Sequence, residues 1–113
     1  MYSWEVWHRF GFFSIHLMSQ HYVTMGKYIM LVGWDRPLQY FFGTVWDPCK
    51  GDAHEGMLFS TLHLPGGGVQ TVEELARLLR LYLELPSEVR NALIEDQAQN
   101  RGNAVRTWEF KET

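Results

Sequence analysis

Four groups of residues carry side chains that could do chemistry. Asp52, His54 and Glu55 cluster in one polar stretch, and His63 follows eight residues after Glu55. Histidines and carboxylates bind zinc when three or four of them converge. The spacing of His54, Glu55 and His63 matches no standard ligand pattern. No metal and no cofactor is therefore expected, with that trio as the alternative. Cys49 lies beside Lys50 and near His54. A nucleophilic thiol needs a nearby base and a lowered pKa. No known signature surrounds Cys49, so an ordinary loop thiol is the simpler reading. Gly66-Gly67-Gly68 precedes a helix start, as in phosphate-binding loops. The run fits neither standard phosphate pattern, and Glu73 and Glu74 would repel an anion there. The fourth group is Trp34, Asp35 and Arg36. A rigid aromatic next to an arginine is the chemistry of interface hot spots. These three form the candidate binding point. The competing reading is that Asp35 caps a turn through the backbone while Arg36 is solvated.

Two apolar strands position that tip. Lys27–Trp34 is apolar on both faces, which suits a central strand, and Leu38–Trp46 follows it. Asp35-Arg36-Pro37 breaks the run, because Pro37 fixes its own φ and pushes Arg36 towards extended backbone. Antiparallel pairing across the short loop is expected. The aromatic set Tyr40, Phe41, Phe42 and Trp46 could stack single-stranded bases. No Lys or Arg is interleaved with it, so it reads as core. Asp47–Glu55 is a loop by composition, and Gly56–Leu64 is a third strand with Leu58, Ser60, Leu62 and Leu64 as the cleaner core face.

The later half is helical. Thr71-Val72-Glu73-Glu74 has the form of a capping box. Val72, Leu75, Ala76, Leu79, Tyr82 and Leu83 follow at helical spacing. Pro86 ends this helix and opens a second over Ser87–Arg101. Gly102 and Asn103 suit a left-handed helix end. Ala104–Phe110 closes the pattern as a strand, with Trp108 and Phe110 on the core side. The expected fold is α+β: an antiparallel sheet in the order β-β-β-α-α-β with a helix pair packed on one face.

Residues 1–24 hold seven aromatics and three of the five His but sustain no period. They read as an N-terminal aromatic arm or extension. An edge strand or cover over the core, an extension upstream of a start at Met18 or Met25, and a partner-binding arm all remain open. Residues 25–113 form the single α+β domain. A two-layer domain buries one face of its sheet, so the surplus aromatics need a cover for the other, either residues 1–24 or a second copy of the chain.

Bulk properties narrow the function. At 113 residues there is room for one modest core. Residues 51–113 carry six basic and ten acidic side chains, with no basic block. Nucleic-acid binding through a phosphate-tracking surface is disfavoured. A single cysteine excludes an internal disulfide and fits a reducing compartment. No apolar run approaches the roughly 20 residues that cross a bilayer, and a cytoplasmic location is expected.

Gly33-Trp34-Asp35-Arg36-Pro37-Leu38-Gln39, followed by Phe41 and Phe42, resembles the opening of a group of small uncharacterised proteins of bacterial plasmids and other mobile elements. Leu93–Trp108, with its Gly102-Asn103 break, is similar to the later part of that group. The resemblance spans about residues 25–110 and implies no known activity. It also implies that residues 1–24 lie outside the shared part. Three functional expectations follow. The first is a non-enzymatic protein-interaction or regulatory module, working as a homo-oligomer. The second is a small ligand-binding protein or enzyme with a pocket between sheet and helices, using Asp35, Arg36 or His63. The third, from the mobile-element resemblance alone, is an inhibitor of a host defence system.

Overall fold

The structure is a computed structural model that describes residues 18–52 and 54–110. Five strands, β1 (Ser19–Met25), β2 (Tyr28–Asp35), β3 (Tyr40–Trp46), β4 (Met57–Ser60) and β5 (Ala104–Phe110), form one sheet in the order β4-β3-β2-β1-β5. The first four run antiparallel in sequence, and β5 lies parallel to β1. Helices α1 (Val72–Leu79) and α2 (Ser87–Ala98) join β4 to β5. The fold is α+β with a mostly antiparallel sheet and two helices.

Ser19–Met25 corrects the boundary placed after residue 24. This segment is a strand between β2 and β5, inside the sheet. Its sequence shows no clear apolar period because its helix-side positions are Ser19, His21 and Val23, two of them polar. All three are buried. Gly26 joins β1 to β2 with φ at +61°, at the first position of a two-residue hairpin loop, where glycine enters the left-handed region without a Cβ penalty. Residues 1–17 lie outside the described residues.

β2 is the middle strand, and its side chains feed two cores. Met30, Val32 and Trp34 join Val23, Phe41 and Val45 beneath the helices, against Leu75, Leu79, Val89 and Leu93. Each of those leucines is fully buried, a contribution of roughly 2 kcal/mol apiece. Leu31, Phe42 and Trp46 form a second buried cluster with Met18 on the opposite face.

Three element ends differ from expectation. β4 stops at Ser60, and Thr61–His63 turns into a 3₁₀ segment. The Thr61 hydroxyl accepts from the Gly43 amide (3.1 Å), and the Ser60 hydroxyl accepts from the Leu62 amide (3.2 Å). Side chains thus replace the next rung of the ladder. A register shift at Val45/Trp46 packs both Leu58 and Phe59 on the helix-side core, so Leu58 and Ser60 do not share a core face. α2 closes with Asn100 at φ +49° rather than with Gly102. Arg101 N donates to Asp96 O (2.8 Å) and Asn100 N to Gln97 O (3.0 Å), which together form a Schellman motif. α1 begins as expected, with the Thr71 hydroxyl accepting from Glu74 N (3.1 Å), but ends at Leu79 rather than at Pro86, because Tyr82 N and Leu83 N both turn back onto Leu79 O.

Gly33 of β2 lies across from Phe42 of β3. A Cβ there would collide with the Ser19 carbonyl oxygen and the Phe42 ring. Gly33→Ala is expected to cost about 3 kcal/mol, read as a lower urea midpoint with an unchanged slope.

Candidate functional site

The densest polar constellation lies under α2, at residues no motif singled out. β1 supplies Ser19 and His21, α2 supplies Asp96, the α2–β5 turn supplies Arg101, and β5 supplies Trp108. His21 Nε2 stands 2.7 Å from Asp96 Oδ2. The Trp108 indole Nε1 donates to His21 Nδ1 at 3.0 Å. An indole N–H can only donate, so Nδ1 accepts and carries no proton. The proton of the neutral ring is then on Nε2, which donates to the carboxylate. Asp96 also takes a hydrogen bond from Ser19, and Arg101 Nε lies 3.5 Å from its Oδ1. Burial works to raise the Asp96 carboxyl. The bonds from His21 and Ser19 and the Arg101 charge outweigh it and hold the group below the ordinary aspartate value.

Ser, His and Asp are the residue types of a hydrolase triad, but the wiring differs. In a triad the histidine links serine to aspartate. Here Ser19 and His21 both bond to Asp96, and the second nitrogen of His21 takes the indole proton donor. The Ser19 hydroxyl also accepts from Trp34 N at 3.0 Å. His21 and Ser19 are buried. With both ring nitrogens engaged, His21 presents no atom to a substrate as general base. What the arrangement does is fasten β1, α2 and β5 together.

The hairpin tip adjoins this centre through Asn100. Its side-chain oxygen accepts from Trp34 Nε1 (3.1 Å) and from Gln39 Nε2 (2.8 Å). Trp34 is 2% exposed and packs on Phe41, with ring centroids 5.0 Å apart. Asp35 is buried, and its Oδ1 accepts from Leu38 N at 3.0 Å. Burial pushes its carboxyl up, opposed by that amide. The neighbouring Tyr40 hydroxyl is raised too, by burial and then by the Asp35 charge. Of the three residues of the expected binding point, only Arg36 is exposed, followed by Pro37, Leu38 and Gln39. Trp34 and Asp35 face inward, which leaves them no surface for recognition. The pocket reading loses its aspartate in the same way, because the Asp35 carboxylate is turned onto its own loop.

The other candidates lie apart from the centre. Asp52 Oδ1 accepts from the backbone N–H groups of His54 (2.9 Å) and Glu55 (2.8 Å), an Asx turn. His63 is exposed on its 3₁₀ segment. Among the described residues, no three His, Cys, Asp or Glu side chains are grouped to hold a metal ion. Cys49 is exposed beside Asp47, whose Oδ1 caps the Cys49 amide. Gly68 passes against the Tyr40 ring, closer than any Cβ would allow, and delivers Val69 to pair with Phe41. The glycine run is thus explained by chain packing. No helix among the described residues is long and apolar enough to cross a membrane.

No protein-family model, no curated protein and no solved structure matches this chain.

Sequence reasoning missed Ser19, His21, Asp96, Asn100 and Arg101. The one available signal was the alternation Ser19-x-His21-x-Val23, which marks a strand face without naming its partners.

Asp96→Ala would strand His21 and Ser19, and a loss of about 3 kcal/mol is expected. The carboxyl titrates lower in the fold than in the unfolded chain. Its stabilisation is therefore complete above the ordinary aspartate value of 3.8 and is lost as pH falls through the depressed folded value. Urea unfolding from pH 7 to pH 3 should show a shallower acid loss in Asp96→Asn than in the wild type. Asp35 runs the other way, since its folded carboxyl is raised. Asp35→Asn keeps an acceptor for Leu38 N and removes a buried charge. It should be at least as stable as the wild type at neutral pH, and any gain should vanish as acid protonates Asp35 in the wild type.

Proposed function

We propose that this chain is a non-enzymatic protein-interaction module that works as a homo-oligomer. One observation carries the reading: among the described residues, the outer edge of β5 pairs with no strand, and the strand is seven residues long. Unpaired edge amides and carbonyls are templates for strand addition by another chain. Soluble proteins commonly blunt such edges with proline, bulges or very short strands. β4, the other edge, follows that habit with four residues and a register shift. β5 has neither proline nor bulge, and its pairing with β1 runs unbroken from Ala104 to Phe110. Val105 on this edge is 63% exposed.

The remaining chemistry supports the same reading. The buried histidine and serine are occupied in holding the fold, and the buried tip aspartate caps its own turn. Of the four large apolar side chains exposed among the described residues, Leu38 lies on the hairpin tip and Val105 on the open edge.

Size-exclusion chromatography with light scattering tests the reading. A mass of at least twice the 13.3 kDa chain is expected at micromolar concentration. A monodisperse monomer across the accessible range would overturn it.

A further inference from the structure

We infer that two copies of this chain join through antiparallel pairing of β5 with β5, centred on Thr107, so that their sheets become one. This rests on the homo-oligomer reading above and assigns its interface.

The backbone of β5 fixes which groups are available. Ala104 N donates to Met18 O at 3.5 Å, and Ala104 is in register with Ser19 of β1. In a strand the N–H and C=O of one residue point to one side, and those of the next residue to the other. Ala104, Arg106, Trp108 and Phe110 therefore bond inward to β1. Val105, Thr107 and Glu109 direct their N–H and C=O outward, away from the sheet.

A two-fold axis perpendicular to the sheet keeps each face on its own side, so it must pass through a residue rather than between two. Three centres are available within the strand's middle. An axis at Arg106 sets two guanidinium groups directly opposite each other, and like charges so placed are destabilising. An axis at Trp108 leaves the outward groups of Val105 without a partner among the described residues. An axis at Thr107 sets Val105 opposite the partner's Glu109 and Thr107 opposite its own copy. Every outward N–H of both strands then meets a carbonyl. No like charges face each other.

Side chains agree with this centre. On the helix side, Arg106 falls opposite the Trp108 of the second copy. The Arg106 guanidinium already lies 4.2 Å from the centroid of its own Trp108 ring. In the dimer the same cation can bridge two indole faces, a contact that strengthens as water leaves. On the other side, the exposed Val105 side chain covers the aliphatic stem of the partner's Glu109.

The full-length chain tests this with charge reversal and cross-linking at Thr107, whose amide bonds to nothing among the described residues by this geometry. Thr107→Lys and Thr107→Glu should each run at 13.3 kDa, half the mass of a wild-type dimer. An equimolar mixture of the two should regain the dimer mass. In a Cys49→Ser background, Thr107→Cys should form a covalent dimer on mild oxidation, because facing residues in a hydrogen-bonded pair have Cα atoms about 5.5 Å apart. Urea midpoints of the two charge variants, compared at dilutions where the wild type is also dissociated, should match the wild type, which shows that the monomer fold is intact. A wild-type dimer unaffected by both charge variants would overturn the β5 interface while leaving the oligomer reading in place. A wild-type monomer would overturn both. Dimerisation of either charge variant alone with loss of cross-linking would place the contact elsewhere and refute the pairing.

Discussion

The fold depends on one buried contact, the hydrogen bond from His21 to Asp96. It joins residues 75 positions apart and is backed by an indole N–H from Trp108, 87 positions from His21. Without it, β1 would bury the His21 Nε2–H beneath α2 with no acceptor. With it, that polar group becomes a reason that strand belongs where it does. A buried charge costs several kcal/mol unless it is paired and hydrogen-bonded, and Asp96 has His21, Ser19 and Arg101 around it. The arrangement selects one register of β1 against β5, since a shift by one residue would turn His21 to the opposite face.

The hairpin tip is an extension of the same fastening. The Schellman end of α2 turns the chain at Asn100, which brings its side-chain oxygen to Trp34 and Gln39. The segments Gly33–Gln39 and Leu93–Trp108, separate in sequence, thus meet in space. What joins them is structural chemistry: a tryptophan held in the core, an amide that accepts twice, and an aspartate that caps its own turn. The open backbone groups of the β5 edge lie apart from this fastening.

Much of the architecture was legible from local pattern. β2 and β3 announced themselves by apolar residues on both faces, and α1 by the Thr71 cap and its stripe of Val72, Leu75, Ala76 and Leu79. The misses share a cause. β1 is hidden because two of its helix-side residues, Ser19 and His21, are polar, and partners on other elements (Asp96, Trp108 and the Trp34 amide) make their burial favourable. The end of β4 was hidden because the Ser60 and Thr61 hydroxyls act as backbone partners, which composition does not reveal. The neighbours of Trp34 in sequence suggest a recognition residue, whereas its place is set by Phe41 and Asn100. In each case a side chain is decided by a partner outside its own element.

The parallel pairing of β1 with β5 is also the least local pairing in the sheet. β1 through β4 are neighbours in sequence as well as in space, so that meander can close through short loops with little entropic cost. The β1–β5 ladder instead closes the long stretch from Met25 to Ala104, which contains both helices, so it carries the largest loop-closure cost in the sheet. Without it the outer edge of β1 is open and His21 lacks its Trp108 partner. The strand that completes the sheet is therefore the one that seals its least local contact, and its arrival converts a loosely specified N-terminal strand into a fixed one.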